Sequence, residues 1–266
     1  MMLARIINYH FLCIITPKKL LFIIATFIAN VLLVFSMYSH KIIPQETIRA
    51  TIFIFYLPIN FKLDMFRCIL ILLPILTIFG LFIHTEIRER TAYLLLHVKS
   101  LSHWFYSLIF VLFIFIFLTF TTGFLTTMGI LTFIPREKVS NDWIQTLNYL
   151  YTSNSLNLII NQFCLLILSF FLLALINLFF IFLIDNLAFT FLLTLMCFIL
   201  SITIGSTFPS ILKWLPLTSG LLAFHELNNY SLMWCYFNVL ISIVVLIVVN
   251  FRLFKIRREY LFMRHE

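Results

Sequence analysis

Long runs of apolar residues without Lys, Arg, Asp or Glu dominate this 266-residue chain. A helix needs about 20 such residues to cross the roughly 30 Å hydrocarbon layer of a membrane. The runs, the second extended by a residue or two at each end, predict six spans at about residues 20–39, 66–84, 104–126, 158–184, 187–208 and 232–251. They are continuously apolar rather than alternating, which excludes a membrane barrel. The predicted fold class is therefore an all-α integral membrane protein, with one transmembrane domain over residues 1–266.

Two shorter apolar segments lie outside these spans. Residues 1–19 end in Pro17 followed by two lysines, and they are too long and lack the small-residue cleavage site expected of a signal peptide. We predict an interfacial helix on the cytoplasmic surface, separated from span one by Pro17. Residues 50–61 are apolar but too short to span and include Pro58. They are predicted to be interfacial or re-entrant; if they crossed the membrane, every later span would be reversed.

Composition excludes a soluble or disordered chain, because 63% of the residues are hydrophobic and only 11% are charged. The net charge is +8, and the Lys and Arg residues are distributed unequally between the two sides of the membrane. With the N-terminus inside, 11 Lys and Arg residues fall on the cytoplasmic side and 7 outside. This bias favours two cytoplasmic termini and a basic cytoplasmic tail at 252–266. The wealth of Phe, Ile, Leu and Asn is typical of an AT-rich genome, so a bacterial cytoplasmic membrane is expected.

The connections around span five carry distinctive residues. Only Asp185 and Asn186 separate spans four and five, so a tight helical hairpin is predicted, with Asp185 as a solvated cap of span five. The segment 209–230 before span six is mostly apolar, yet it is interrupted by Pro209, Pro216 and Gly220. It is predicted to be a short re-entrant segment dipping between spans five and six. A loop packed on the outer headgroups is the alternative.

No catalytic or cofactor motif is present. The chain has no GxxxxGK[ST] phosphate loop, no GxGxxG and no HExxH. His225 and Asn229 match one piece of the CAAX-type intramembrane proteases, but the paired glutamates of that family are missing. The five cysteines form no CxxC pair and are expected to be small apolar residues. We therefore expect no enzymatic activity, no cofactor and no metal.

The segment 84–103, between spans two and three, is the most informative one. Four charges fall within five residues, and Glu86 and Arg90 stand four apart with the acid first, the order that favours a helix. Five apolar residues and one threonine recur mostly at spacings of three to four: Ile87, Thr91, Leu94, Leu95, Val98 and Leu101. This pattern predicts an amphipathic helix whose charged face points to the cytoplasm. The alternative is a positive loop that only sets topology.

This segment and the six-span plan resemble the membrane subunits of ABC-2-type transporters. In that family, the segment after span two carries an acidic residue, then Gly-Thr, then a Leu-rich helix that ends near Pro and Ser or Arg. This chain has Glu86 and Glu89, then Arg90-Thr91, then Leu94-Leu95-Leu96, then Lys99-Ser100; Arg90 replaces the Gly, and the Pro is absent. In size and in Phe, Ile and Leu content, the chain is similar to small permeases of bacterial peptide-antibiotic export or immunity systems.

The resemblance implies a mechanism in which 84–103 is a coupling helix seated in a cleft of a separate ATPase. The implied coupling residues are Glu86, Arg88, Glu89, Arg90 and Thr91. The implied partners are two ATPase subunits and a second copy of the chain or a sister permease, besides membrane lipid; no nucleic acid is expected. The cargo would be amphipathic or apolar, because the predicted spans lack ionisable residues suited to an ion relay. The alternative function is a stand-alone membrane scaffold, sensor or immunity protein without transport.

Overall fold

The computed structural model describes residues 2–37, 43, 45–55, 61–86, 101–134, 155–184, 186–221 and 231–263. All regular secondary structure among these residues is helical. The elements are α1 (Met2–Ile14), α2 (Pro17–Met37), α3 (Thr47–Phe55), α4 (Phe61–Thr85), α5 (Leu101–Phe133), α6 (Ser155–Leu183), α7 (Leu187–Thr207), α8 (Pro209–Leu212), a 3₁₀ turn (Pro216–Thr218) and α9 (Leu232–Met263).

Six of the described helices are long and apolar enough to cross a membrane, which confirms a multi-pass architecture. The candidate spans are Pro17–Ser36, Phe66–Thr85, Ser102–Phe133, Ile159–Leu183, Leu187–Thr207 and Leu232–Ile256. They agree with the predicted spans to within a few residues, except that the third continues to Phe133. At 33 residues, α5 is about 50 Å long, so it is tilted or extends beyond a hydrocarbon layer of about 30 Å.

Helix α6 lies at the centre of the bundle. In its span 78% of the residues are buried, against 22% in α7 and 17% in α9, whose large apolar side chains face outwards. Helix α9 packs along α6 in a parallel direction. The Tyr236 hydroxyl donates to the Asn161 carbonyl at 3.1 Å, and the Asn250 amide donates to the Leu175 carbonyl at 3.0 Å, with the same sequence offset.

Aromatic rings join several helices at one end of the bundle. Trp104 near the start of α5 stacks on Phe254 of α9 with ring centroids 4.8 Å apart, and Phe182 at the end of α6 contacts the same ring. His10 of α1 lies edge-on to Trp104 and to Phe82 of α4. Helix α1 and the later turns of α9 therefore lie at the same end, as an even number of spans requires. We call this the His10 end.

Two short helices pack onto the spans. Helix α1 ends at Ile14, and α2 begins at Pro17, whose missing N–H is no loss in a first helical turn. Every fourth residue of α1 from Ile6 is buried against α5 and α4, at Ile6, His10 and Ile14. Helix α3 has nine residues, about 14 Å, which is too short to span. All side chains from Ala50 to Ile54 are buried, and α3 packs mainly on α5.

Candidate functional site at the ends of span two

A buried polar cluster lies where α1 meets the end of α4 and the start of α5. It consists of Tyr9, His10, Glu86 and Ser107, and we call it the His10 cluster. The Tyr9 hydroxyl donates to Glu86 Oε1 at 3.2 Å. His10 Nε2 lies 4.0 Å from Glu86 Oε2, and both side chains are almost fully buried. Two residues of α1 therefore contact the single residue that follows the last turn of span two.

His10 lies between Ser107 and Glu86. The Ser107 hydroxyl donates to the Trp104 carbonyl at 2.7 Å, and it also lies 3.1 Å from His10 Nδ1. His10 Nε2 faces Glu86 Oε2 on the other side of the ring. Burial lowers the pKa of His10 from 6.5 to about 4, so the ring is neutral near pH 7.

Glu86 differs from the exposed position that the amphipathic pattern of 84–103 predicts, because its side chain is fully buried. The sequence pattern places it on a charged face, but α1 folds over that position and supplies Tyr9 and His10. The other predicted coupling residues, Arg88, Glu89, Arg90 and Thr91, lie outside the described residues. In this structure Glu86 therefore bonds to α1 of the same chain.

The predicted interruptions before span six lie at turns of the chain. Pro209 opens α8, Pro216 opens the 3₁₀ turn, and Gly220 lies directly on the α6 backbone. A Cβ at Gly220 would be 2.8 Å from Leu166 Cα. Ser169, nearly three turns into the α6 span, lies 3.4 Å from the Pro216 carbonyl and donates to it. The segment therefore packs alongside α6, with Leu217, Thr218, Ser219 and Leu221 buried.

The cap of span five differs by one residue from the prediction. Asn186, not Asp185, is the N-cap of α7, and its side-chain oxygen accepts from the Phe189 N–H at 3.2 Å. The cap must directly precede the first helical residue, which is Leu187. Asp185 itself lies outside the described residues. The tight connection between spans four and five is as predicted, because α6 ends at Leu183.

Arg67, which is one of the seven basic residues counted above on the outer side, is a buried charge. It lies in the first turn of the second candidate span and is fully buried. Its Nε donates to Asn30 Oδ1 of α2 at 3.0 Å, and Nη2 donates to the Ile54 carbonyl of α3. A cation is favourable at the C-terminal end of a helix such as α3. We call Asn30, Ile54 and Arg67 the Arg67 cluster. The apolar pattern of span two did not reveal it, because the spans were defined by runs without charged residues.

The remaining candidate groups are the potential metal ligands and the cysteines in the part of the chain that the structure describes. Within it, no three His, Cys, Asp or Glu side chains lie together as metal ligands would. The five cysteines are free, and they are not uniformly buried, since Cys164 is exposed. Neither a protein-family model, nor a curated protein, nor a solved structure matches this chain.

Proposed function

We propose that this chain is the membrane-spanning permease subunit of an ABC-2-type exporter in a bacterial cytoplasmic membrane. A separate subunit hydrolyses the ATP. The order of Glu86, Glu89, Thr91 and the following leucines, together with the six spans, supports this function. Six spans form half of a translocation path, so a second copy or a sister permease completes it.

One observation carries the proposal: the His10 cluster joins three helices at the start of the coupling segment. Glu86 follows span two directly, and it contacts Tyr9 and His10 of α1, while His10 contacts Ser107 of α5. A displacement of the segment after Glu86 is therefore transmitted to α1, α4 and α5 together. The ATPase supplies that displacement when nucleotide binds its closed state more tightly than its open state.

The cargo is amphipathic or apolar, with peptide-antibiotic export or immunity as the physiological setting. The six described candidate spans contain no Asp or Glu. A carrier driven by protons or sodium generally uses such residues within its spans. Energy supplied from outside the membrane domain is consistent with this composition. In the same proposal, α1 is interfacial on the cytoplasmic side, and the segment from Pro209 to Leu221 is a re-entrant hairpin.

Co-purification tests the assignment directly. The tagged chain, isolated in mild detergent from its native host, is expected to bring down a P-loop ATPase. The triple variant Arg88→Ala, Glu89→Ala and Arg90→Ala should lose it. The matched control is Arg252→Ala with Lys255→Ala, which removes exposed charges at the same end of the bundle and should retain the ATPase.

Each other outcome has a definite meaning. Normal function of the purified chain without any ATPase would overturn the transporter assignment and favour the stand-alone scaffold, sensor or immunity protein. Retention of the ATPase by the triple variant would overturn the contact site. Orientation is tested by labelling cysteines from outside: Lys213→Cys, which is exposed, should react, whereas Arg252→Cys should react only after the membrane is opened. Reaction of Arg252→Cys in intact cells would reverse the topology.

A further inference from the structure

A partly open cavity lies beside the break between α1 and α2. Its volume is about 70 Å³. One wall consists of residues around the break, and the other is formed by the middle of α5, through Phe115, Leu118, Thr119 and Thr122. The Thr119 hydroxyl donates a hydrogen bond to the Phe115 carbonyl at 2.8 Å, so this wall of the cavity is mostly apolar. The cavity therefore suits an apolar group.

One lysine lines this cavity, and a second precedes it in the chain. Lys19 lines the cavity and donates to the Cys13 carbonyl at 2.8 Å, and Lys18, in the same first turn of α2, is exposed. Among the residues described, no carboxylate lies within 4.0 Å of either ammonium group. Lysines that face lipid are stable at the level of the headgroups, where the ammonium group meets water and phosphate. Their positive charge is thus available to an anion that also carries an apolar part.

We infer that the break between α1 and α2 binds one anionic phospholipid. Its phosphate would lie at Lys18 and Lys19, and part of one acyl chain would occupy the cavity lined by Ile15, Leu20 and Leu118. An apolar cavity of about 150 Å³ admits benzene. The cavity here, at about 70 Å³, is about half that size and admits a segment of a few carbons of an acyl chain. Charge complementarity selects an anionic headgroup, and the apolar wall selects a lipid over a free phosphate.

The site has a consequence for the helices that form it. The lipid would contact α1, the start of α2 and α5 at once, and α1 carries two residues of the His10 cluster. Occupancy would therefore stabilise the position of α1 against α5. This inference does not depend on the ATPase, and it would hold for any function of the chain.

Native mass spectrometry of the purified full-length chain provides the test. The protein is titrated with phosphatidylglycerol and with phosphatidylcholine that carry the same acyl chains. One phosphatidylglycerol should be retained in preference to phosphatidylcholine. The double variant Lys18→Gln, Lys19→Gln should lose this preference, with affinity reduced about 25-fold, because each lysine near an anionic lipid contributes about fivefold. Gln at position 19 keeps a donor for the Cys13 carbonyl.

Matched variants separate this site from general charge. Arg252→Gln with Lys255→Gln removes the same number of exposed charges and should leave the preference intact. Thr119→Leu, which fills the cavity, should reduce retention of both lipids. Lys18→Gln alone changes only an exposed side chain and should give about a fivefold loss, so a folding defect in the double variant does not prevent the test.

Three results would overturn the inference. The first is an unchanged preference in the lysine variants, and the second is an equal loss in the Arg252 and Lys255 control. The third is displacement of the lipid by soluble glycerol phosphate at the same concentration, which would make the site one for phosphate alone. Loss of the ATPase interaction would leave lipid retention unchanged, so failure of the proposed function and failure of this site are distinguishable.

Discussion

The neutral state of His10 predicts a specific dependence of stability on pH. Two effects oppose one another at this side chain: burial favours the neutral ring, whereas the Glu86 carboxyl group 4.0 Å away would favour the protonated ring. Burial is the larger effect, because it lowers the pKa from 6.5 to about 4. Below pH 6.5 the unfolded chain therefore binds a proton that the folded protein does not bind until about pH 4.

The sign and size of the effect follow from these two values. Stability falls as the pH is lowered from 6.5 to 4, and above 6.5 the contribution of His10 does not change. One pKa unit corresponds to about 1.4 kcal/mol, so the full difference over this window is about 3 kcal/mol. His10→Gln cannot titrate, and its amide can still contact Ser107. The wild-type protein should therefore lose about 3 kcal/mol relative to this variant between pH 6.5 and 4.

A denaturant titration in mild detergent, repeated across this pH range, measures the difference. His103→Gln is the control, because His103 lies on α5 one turn from Ser107 but is exposed. Subtracting the variant from the wild type removes the acid destabilisation that other groups contribute. A flat difference would show that the ring is not held in its neutral state. An increase in wild-type stability at low pH would show that the Glu86 carboxylate outweighs burial.

Three further substitutions test the packing. Gly123→Ala should destabilise the protein by about 1–3 kcal/mol, because its Cβ would lie 2.3 Å from the buried Phe27 ring. The control is Gly129→Ala in the same helix, which meets nothing within 4 Å and should be neutral or stabilising. Thermal unfolding followed by gel filtration compares the two variants. Gly220→Ala should displace the 3₁₀ turn from the α6 backbone, and faster cysteine labelling of a reporter in that turn measures it. Arg67→Met should cost about 2 kcal/mol or more, because two buried acceptors lose their donor; unchanged stability would refute this.

The spans could be predicted from the sequence because apolar length is a property of the chain alone. The same holds for the break at Pro17, whose ring fixes a helix start, and for the tight turn before Leu187. The burial of Glu86 could not be predicted in this way. Its neighbours in sequence are charged, and only the return of α1 to the end of α4 removes it from water.

The burial of Arg67 could not be predicted either. Charge-free runs exclude every arginine by definition, so Arg67 was counted among the basic residues on the outer side. Its environment is created by α2 and α3, which supply the Asn30 side chain and the Ile54 carbonyl from distant parts of the sequence. Hydropathy therefore cannot predict which buried charges find partners on the short helices that pack on the spans.

The two buried charges together define how α4 is held. Arg67 lies in the first turn of its candidate span, and Glu86 follows the last residue. At 1.5 Å per residue they are about 28 Å apart, close to the roughly 30 Å thickness of the hydrocarbon layer. Each is bonded to a short helix: Arg67 to α3 and Glu86 to α1.

This arrangement restricts the motions open to α4. A shift of α4 along its axis by one turn, about 5.4 Å, would break the bonds at both ends and leave buried charged groups without their partners. A movement that carries α1, α2 and α3 with α4 preserves both sets of bonds. Any force applied after Glu86 should therefore move span two together with α1, α2 and α3, rather than slide the span past them.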